Sequence, residues 1–282
     1  MLSLKFNRLI PGNRNLALSS DLDPDSNFNF DMFRCDYFTE SQFNELFHKT
    51  RSSFSNCFSL LDLNIRSLSR NYDNFTSFLA NIEGKFSIMG VSDTWLKDSG
   101  YSFDIMGYDF IHNPRPNRIG GGVGIYVNND LEFKPRPDLA FRDISSPSAQ
   151  SLFIEIRRPL SKNMIIGVIY RTPDFNVNDF VQNFNFLLAK IGKENKLSYL
   201  LGDFNLNLIN YHSHSLTGEF VDVSYANLFV PLIVRPTRLT SHSASLIDNI
   251  FANSFCNNIV RGILFTDVSD HLLILPFIMN RA

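Results

Sequence analysis

The sequence predicts a mixed α/β fold, with two β-sheets packed face to face and helices outside them. Three observations carry this. Apolar runs of strand length recur along most of the chain, bounded by Asn, Asp, Gly and Pro. Only two segments show clear helical spacing, and they lie far apart. No internal repeat is present. With 282 residues, 44% of them hydrophobic, the chain can bury a substantial core as one large domain or two small ones.

The elements follow in order. Residues 11–32, rich in Asn, Asp, Ser and Pro without periodicity, read as a loose leader, extended to 1–55 as a flexible segment before the folded domain at 56–282. CFSLLDLNI (57–65) is a buried strand. YDNFTSFLANI (72–82) places Phe75, Phe78, Leu79 and Ile82 on one helical face. FSIMGVS (86–92), GGVGIYV (121–127), SLFIEI (151–156) and MIIGVIY (164–170) are further strands. NDFVQNFNFLLAKI (178–191) is an amphipathic helix feeding a strand that ends at GDFN. SLIDNIF (245–251), NNIVRGILF (257–265) and LLILPFIM (272–279) complete the set. Gly120-Gly121-Gly122 superficially matches a phosphate cradle. Strand alternation follows it rather than a helix, and no GxxxxGK is present, so a hairpin or a tight backbone approach is expected there.

Composition excludes several classes. A net charge of -2 and a pI near 6.3 supply no global basic field, so nucleic-acid binding would need a local patch. Arg66, Arg115, Arg118, Arg171, Arg235 and Arg238 lie beside the motifs described below and are candidates for it. Cys35, Cys57 and Cys256 are odd in number and have no CxxC, which argues against a disulfide framework or a zinc site. Neither a secretory segment nor a membrane-spanning run is found, and an intracellular protein is expected. HExxH and GxSxG are absent, and His212 and His214 in NYHSHS read as a solvated loop rather than metal ligands.

Chemistry concentrates at strand ends. Asn64 follows LLDL, Asp93 follows IMGVS and Tyr170 ends MIIGVI. Asp203 and Asn205 follow YLLG, Asp248 sits in SLIDNIF, and Asp270-His271 precedes LLILPF. One acid at a strand end is commonly a turn former. If the exits converge, the set supplies carboxylates for a hard cation, a His with an Asp partner, and amides and a phenol for phosphate oxygens. Asp203 and Asn205, separated by Phe204, would share one face in extended chain.

LNIRSL, VSDTWL, RIGGGVGIYV, VIYRTP, LGDFNLNL, RPTRLT…SLIDNIF and VSDHLLI occur in this order. The series resembles the endonuclease domain of non-LTR (LINE-type) retrotransposons, within the endonuclease/exonuclease/phosphatase, DNase I-like superfamily, over roughly residues 56 to 279. The resemblance implies a four-layer α/β sandwich and Mg²⁺-dependent hydrolysis of phosphodiester bonds, with Mn²⁺ as a substitute metal. It implies nicking of double-stranded DNA in the nucleus for target-primed reverse transcription, beside a reverse transcriptase domain and element RNA. With no reverse transcriptase in the sequence, the chain is expected to be a fragment, truncated copy or excised domain. By the same resemblance, Asp93 and Asn64 hold the metal, with Asp270 close by. Asp203 activates or orients the attacking water, Asn205 helps to fix the phosphate and Tyr170 hydrogen-bonds it. His271, held by Asp248, stabilises the pentavalent phosphorus, and Thr240 and Ser269 fall near the phosphate.

Two residues depart from the pattern. Relatives favour Glu where Asp93 stands, and often Glu where Gln150 stands. A shorter acid at 93 is expected to weaken the enzyme, since Mg²⁺ tolerates little error in ligand distance. The rival readings are a lipid-directed phosphodiesterase of the same superfamily and a non-enzymatic remnant that still binds DNA.

Overall fold

The apolar runs become strands of two large sheets in a computed structural model, which describes residues 35–54, 57–97, 102–115, 120–141, 149–159, 161–254 and 259–279. One sheet has seven strands. Across it run β1 (Cys35–Phe38), β14 (Ile259–Leu264), β15 (Leu273–Met279), β2 (Cys57–Asn64), β3 (Ile88–Ser92), β5 (Val123–Asn128) and β4 (Tyr108–Asn113). The other has six: β10 (Val230–Pro231), β13 (Asp248–Ala252), β9 (Leu197–Asp203), β8 (Met164–Tyr170), β7 (Gln150–Ile156) and β6 (Phe133–Pro135). β11 (Arg238–Leu239) and β12 (Ala244–Ser245) pair separately.

Strand alternation decides which side chains meet between the sheets. In β2, Leu61 and Leu63 face outward, into a cluster with Phe43 of helix α1 (Glu40–Phe54) and Phe75 and Phe78 of helix α2 (Leu68–Asn81). Leu60, Asp62 and Asn64 take the other face, toward the second sheet. The sheets are close there, since a Cβ placed on Gly90 of β3 would lie 2.7 Å from Asp62 Oδ1 and 2.9 Å from Val168 Cγ2 of β8. Helices α3 (Val177–Lys193) and α4 (Ser215–Ala226) cover the far side of the six-stranded sheet. Phe184 of α3 and Phe220 of α4 lie 5.0 Å apart between ring centroids, and Phe220 reaches Phe204 at 5.4 Å and Phe251 at 5.4 Å. The order helix, sheet, sheet, helix is the predicted four-layer sandwich.

Several boundaries differ from the sequence reading. Residues 35–54, assigned there to the leader, form β1 and α1. β1 pairs in parallel with β14, and Phe43 is buried at 1% exposure against Phe86 and Phe277. Residues 11–32 lie outside the described residues. Helix α4 escaped the sequence reading because two of its four buried positions, Thr217 and Ser224, are polar beside Phe220 and Val221. β5 begins at Val123, so the three glycines before it form a turn rather than strand. Among the described residues no helix is long and apolar enough to cross a membrane.

The β8–β9 pair depends on Gly202. Its φ is +139°, and a Cβ there would fall 1.9 Å from the Ile169 carbonyl oxygen. Gly202→Ala is expected to destabilise the protein by at least about 2 kcal/mol, because backbone rather than a mobile side chain must give way. Urea unfolding measures this, and a shift of about 0.5 kcal/mol or less would show that the two strands can part without loss.

Candidate active site

Register alone places three of the candidate residues in a row. Tyr170 at the end of β8 is the parallel partner of Asp203 at the end of β9, and Asp203 is the antiparallel partner of Asp248 at the start of β13. Residues directly paired across strands project to the same face. The opposite sheet supplies Asn64, the last residue of β2, whose Nδ2 donates to Asp203 Oδ2 at 2.8 Å. Asp203 is therefore held between the two sheets, at 1% exposure.

Asn205 reaches Asp203 by a different route from the one predicted. Its φ is +49°, so the chain turns after Phe204 instead of continuing extended. The Asn205 amide N–H donates to Asp203 Oδ1 at 2.8 Å, an Asx-type turn that brings the side chain back over the acid. Asn205 Nδ2 donates to the Arg171 carbonyl at 2.7 Å and to Asp203 Oδ2 at 3.2 Å. The turn is fixed from beneath by Arg171, whose guanidinium donates to the carbonyls of Phe204 and Asn205 at 2.7 and 2.8 Å. Arg171 is 3% exposed and thus supports the loop; it does not belong to a surface basic patch.

The electrostatics follow from burial. Desolvation and the nearby Asp248 raise Asp203 to about 7, against the lowering effect of His271 and of the hydrogen bonds from Asn205 and Asn64. His271 Nδ1 lies 2.9 Å from Asp248 Oδ1, and Thr237 Oγ1 donates to Asp248 Oδ2 at 2.6 Å. Burial pulls the imidazole down, but the charge and hydrogen bond of Asp248 outweigh it and raise His271 to about 9. Asp203, Asp248 and His271 bring ligand-type atoms within 4.8 Å of one another, a group able to bracket a cation. Within it Asp248 is already bonded by His271 and Thr237, so Asp203 stands beside an acid–imidazolium pair. Burial, then the neighbouring Asp93 and Asp203, push the Tyr170 phenol upward, keeping it a neutral donor.

Asp93 occupies a strained turn. Its φ is +54°, and its Oδ1 accepts the Gly121 N–H at 2.7 Å. The glycine run is the close backbone approach expected from sequence: Thr94 and Trp95 N–H groups donate to the Gly122 and Gly121 carbonyls at 3.2 and 2.7 Å. A Cβ on Gly121 would meet Gln150 Oε1 at 2.5 Å. Gln150 in turn accepts the Gly122 N–H, so it buttresses the turn behind Asp93.

The other candidates sit at the rim. Asp270 Oδ2 is bonded by Arg66 Nη1 at 2.7 Å and Arg238 Nη2 at 2.7 Å. Burial raises its carboxyl, but these guanidinium bonds prevail and hold it at about 2. Two of the six arginines offered for a basic patch are thereby paired, and Arg118 lies outside the described residues. Ser269 Oγ donates to the Asn64 carbonyl at 2.7 Å, bracing β2 from behind. Thr240 is exposed and bonded to Ser243 in the β11–β12 turn. His214 accepts the Thr217 N–H as the N-cap of α4, and His212 is exposed.

Sequence reasoning missed Asp62 and Thr237. Asp62 is fully buried, two residues before Asn64 on the same face, and neither carboxylate oxygen has a hydrogen-bond partner. Burial, then Asp248 and Asp203, raise it well above the usual carboxylate range. An acid inside LLDLN was the available signal. Nothing in the RPTRLT stretch marks Thr237 as the donor to Asp248.

No family model and no curated protein matches the sequence. Solved structures do. The endonuclease domain of TRAS1, a telomere-specific non-LTR retrotransposon, aligns with a TM-score of 0.59 at 14% identity, over 79% of this chain and 98% of that one. An AP endonuclease from Archaeoglobus fulgidus gives 0.60 at 13% identity over 79% and 100%. The 3′ phosphatase NExo from Neisseria, bound to product DNA hairpin, gives 0.60 at 13% over 79% and 100%. The chain thus has the DNase I-like α/β sandwich fold.

The His271–Asp248 pair carries a pH signature. A raised folded pKa means that its stabilisation is complete below the ordinary His value of about 6.5 and is lost as pH rises through about 9. The stability advantage of wild type over His271→Gln is therefore expected to fall by on the order of 2 kcal/mol between pH 6 and 10. Urea melts of both proteins across that range check this, and a pH-independent difference would mean that folding leaves the imidazole pKa where it is in the unfolded chain.

Proposed function

We propose that this chain is a divalent-metal-dependent phosphodiesterase that nicks double-stranded DNA. The observation that carries this is the cross-sheet cluster, in which Asp203 lies bonded to Asn64 beside the Asp248–His271 pair, with Tyr170 in register.

The residues present suit a hard cation. Asp93 and Asn64 offer oxygen ligands, and Asp270 Oδ1 is a buried acceptor without a donor, which a divalent ion satisfies. Mg²⁺, or Mn²⁺ in its place, would be held by Asp93 and Asn64 with Asp270 adjoining, and would supply Lewis-acid polarisation of the substrate phosphate. The chain's own groups do the rest. Asp203, raised to about 7, accepts a proton from the attacking water near neutral pH. Asn205 fixes Asp203 through two hydrogen bonds, so its role here is to orient the base as much as to meet the phosphate. With Nδ1 engaged by Asp248, imidazolium His271 has Nε2 to donate to a phosphate oxygen as negative charge builds. Tyr170 donates its phenolic hydrogen to the same phosphate.

The seven ordered motifs and the structural likeness to a retrotransposon endonuclease support a role in target-primed reverse transcription. In that setting the chain works in the nucleus beside a reverse transcriptase and element RNA. Thr240 and Ser269 flank the path of the DNA backbone in this reading.

The test is conversion of supercoiled plasmid to the open-circular form with Mg²⁺ and with EDTA. Nicking is expected with the metal only, and His271→Ala is expected to slow it roughly 100- to 1,000-fold. Near-full nicking by folded His271→Ala would remove this residue from the mechanism.

Asp93 sets the metal demand. One of its oxygens is taken by Gly121 N–H, and its side chain is one methylene shorter than Glu, so it stands back from the centre. A misplacement of about 1 Å costs on the order of 100-fold in rate. Asp93→Glu is expected to nick faster and to need less Mg²⁺. Metal titrations of both proteins decide: a Glu variant that is equal or worse at every Mg²⁺ concentration would show that the glycine turn has adapted to the shorter acid.

A further inference from the structure

Beside the catalytic cluster lies a cleft of about 570 Å³, and of its lining the reading above uses only Ser269. Its walls include Arg66, Arg70, Asn74, Trp95 and Ser269, with one acid, Asp267. It adjoins the centre directly, because Ser269 donates to the Asn64 carbonyl and Arg66 bonds Asp270.

Trp95 is the unusual member. It is 40% exposed, although Thr94 and Leu96 on either side are 0% and 8% exposed. Its φ is +55°, a left-handed backbone that costs a bulky residue on the order of 1 kcal/mol or more. The turn holds it there: Trp95 N–H donates to the Gly121 carbonyl at 2.7 Å, and a Cβ on Gly120 would lie 3.6 Å from its indole Nε1. Arg66 and Ser67, at φ +47° and +81°, face it from the start of α2, and Ser67 N–H bonds the Asp93 carbonyl at 2.9 Å. Two strained turns, tied to each other, thus present an indole and the Arg66 guanidinium to one cleft, and the first turn of α2 adds Arg70. Core packing does not need this, since the indole is turned away from the core.

The chemistry of the lining selects a ligand. A large flat indole suits a planar base, and base–aromatic stacking tolerates any sequence. Arginine suits phosphate through its planar fork, and the exposed Arg70 has no acidic partner among the described residues. Asn74 is exposed and offers both a donor and an acceptor to a base edge. We propose that this cleft is a nucleotide subsite that takes one unstacked base of the DNA strand on Trp95, with Arg70 on its phosphate, next to the bond to be cut. The inference rests on the DNA-nicking reading above and adds to it where the flanking nucleotide sits.

Trp95 is the single tryptophan of the chain, so its fluorescence reports this cleft alone. The experiment titrates the full chain, in EDTA, with a fluorescein-free single-stranded thymidine 12-mer while reading Trp emission. A labelled copy of the same oligonucleotide gives binding by anisotropy, and plasmid nicking with Mg²⁺ is assayed alongside. Saturable quenching is expected, with Arg70→Gln weakening it about 5-fold. By anisotropy, Trp95→Ala is expected to bind roughly 10-fold more weakly and Trp95→Phe nearly as well as wild type. Binding by anisotropy with unchanged Trp emission would overturn the subsite and leave the nuclease reading standing. Quenching without nicking would keep the subsite and remove the nuclease reading. Quenching by phosphoinositide vesicles in place of the oligonucleotide, or no binding of either, would overturn the subsite.

Discussion

The hydrogen bond from Asn64 to Asp203 joins the last residue of a strand in one sheet to the last residue of a strand in the other. Everything at the centre depends on that closure. Asp203 needs a donor from the opposite sheet because its own sheet places a second acid, Asp248, directly beside it. Two carboxylates side by side in a water-poor interface repel each other unless donors are distributed between them. Asn64 and the Asn205 turn serve Asp203, and His271 and Thr237 serve Asp248. The partition leaves Asp203 with its carboxyl raised toward neutral pH and Asp248 as the counter-ion of an imidazolium.

The third acid in the interface has no such provision. Asp62 lies beneath Asn64, and its oxygens have no donor. A buried carboxyl in that situation is kept in its neutral form, because charging it would add a third negative group to the same interface. Gly90, across from it on β3, leaves the space that its carboxyl occupies. The cost of this arrangement falls on folding stability, and the residue sits close enough to Asp203 and Asp248 for their charges to be felt there.

Much of this was legible in the sequence, and the reasons are local. The strands of β2, β3, β8, β9 and β15 are long apolar runs with polar residues at their ends, so strand assignment and the presence of chemistry at strand exits needed no tertiary information. The fold brings His271 onto Asp248 and sets Tyr170 in register with Asp203. What a local pattern does not give is a distant partner. Asp270 is bonded by Arg66, 204 residues away, and by Arg238. Arg171 looked like a surface cation, whereas its donors are all directed at backbone carbonyls of its neighbourhood. Helix α1 carries its apolar residues at Phe43, Leu46, Phe47 and Phe54, too few in its 15 residues to stand out from the polar stretch before it.

The place of β1 at the margin of the seven-stranded sheet bears on how this domain is best handled as a recombinant protein. β1 hydrogen-bonds along β14 from Cys35–Arg261 to Phe38–Leu264, and α1 then lays Phe43 over the sheet. Cutting the chain near residue 56, where a reading by motif would begin the domain, removes both. β14 would then end the sheet with its backbone donors and acceptors unpaired, next to an apolar surface stripped of its cover. Exposed strands of that kind pair with the same strand of another molecule. A shortened version would be prone to self-association through β14, and one retaining residues 35–54 keeps that margin capped by its own chain.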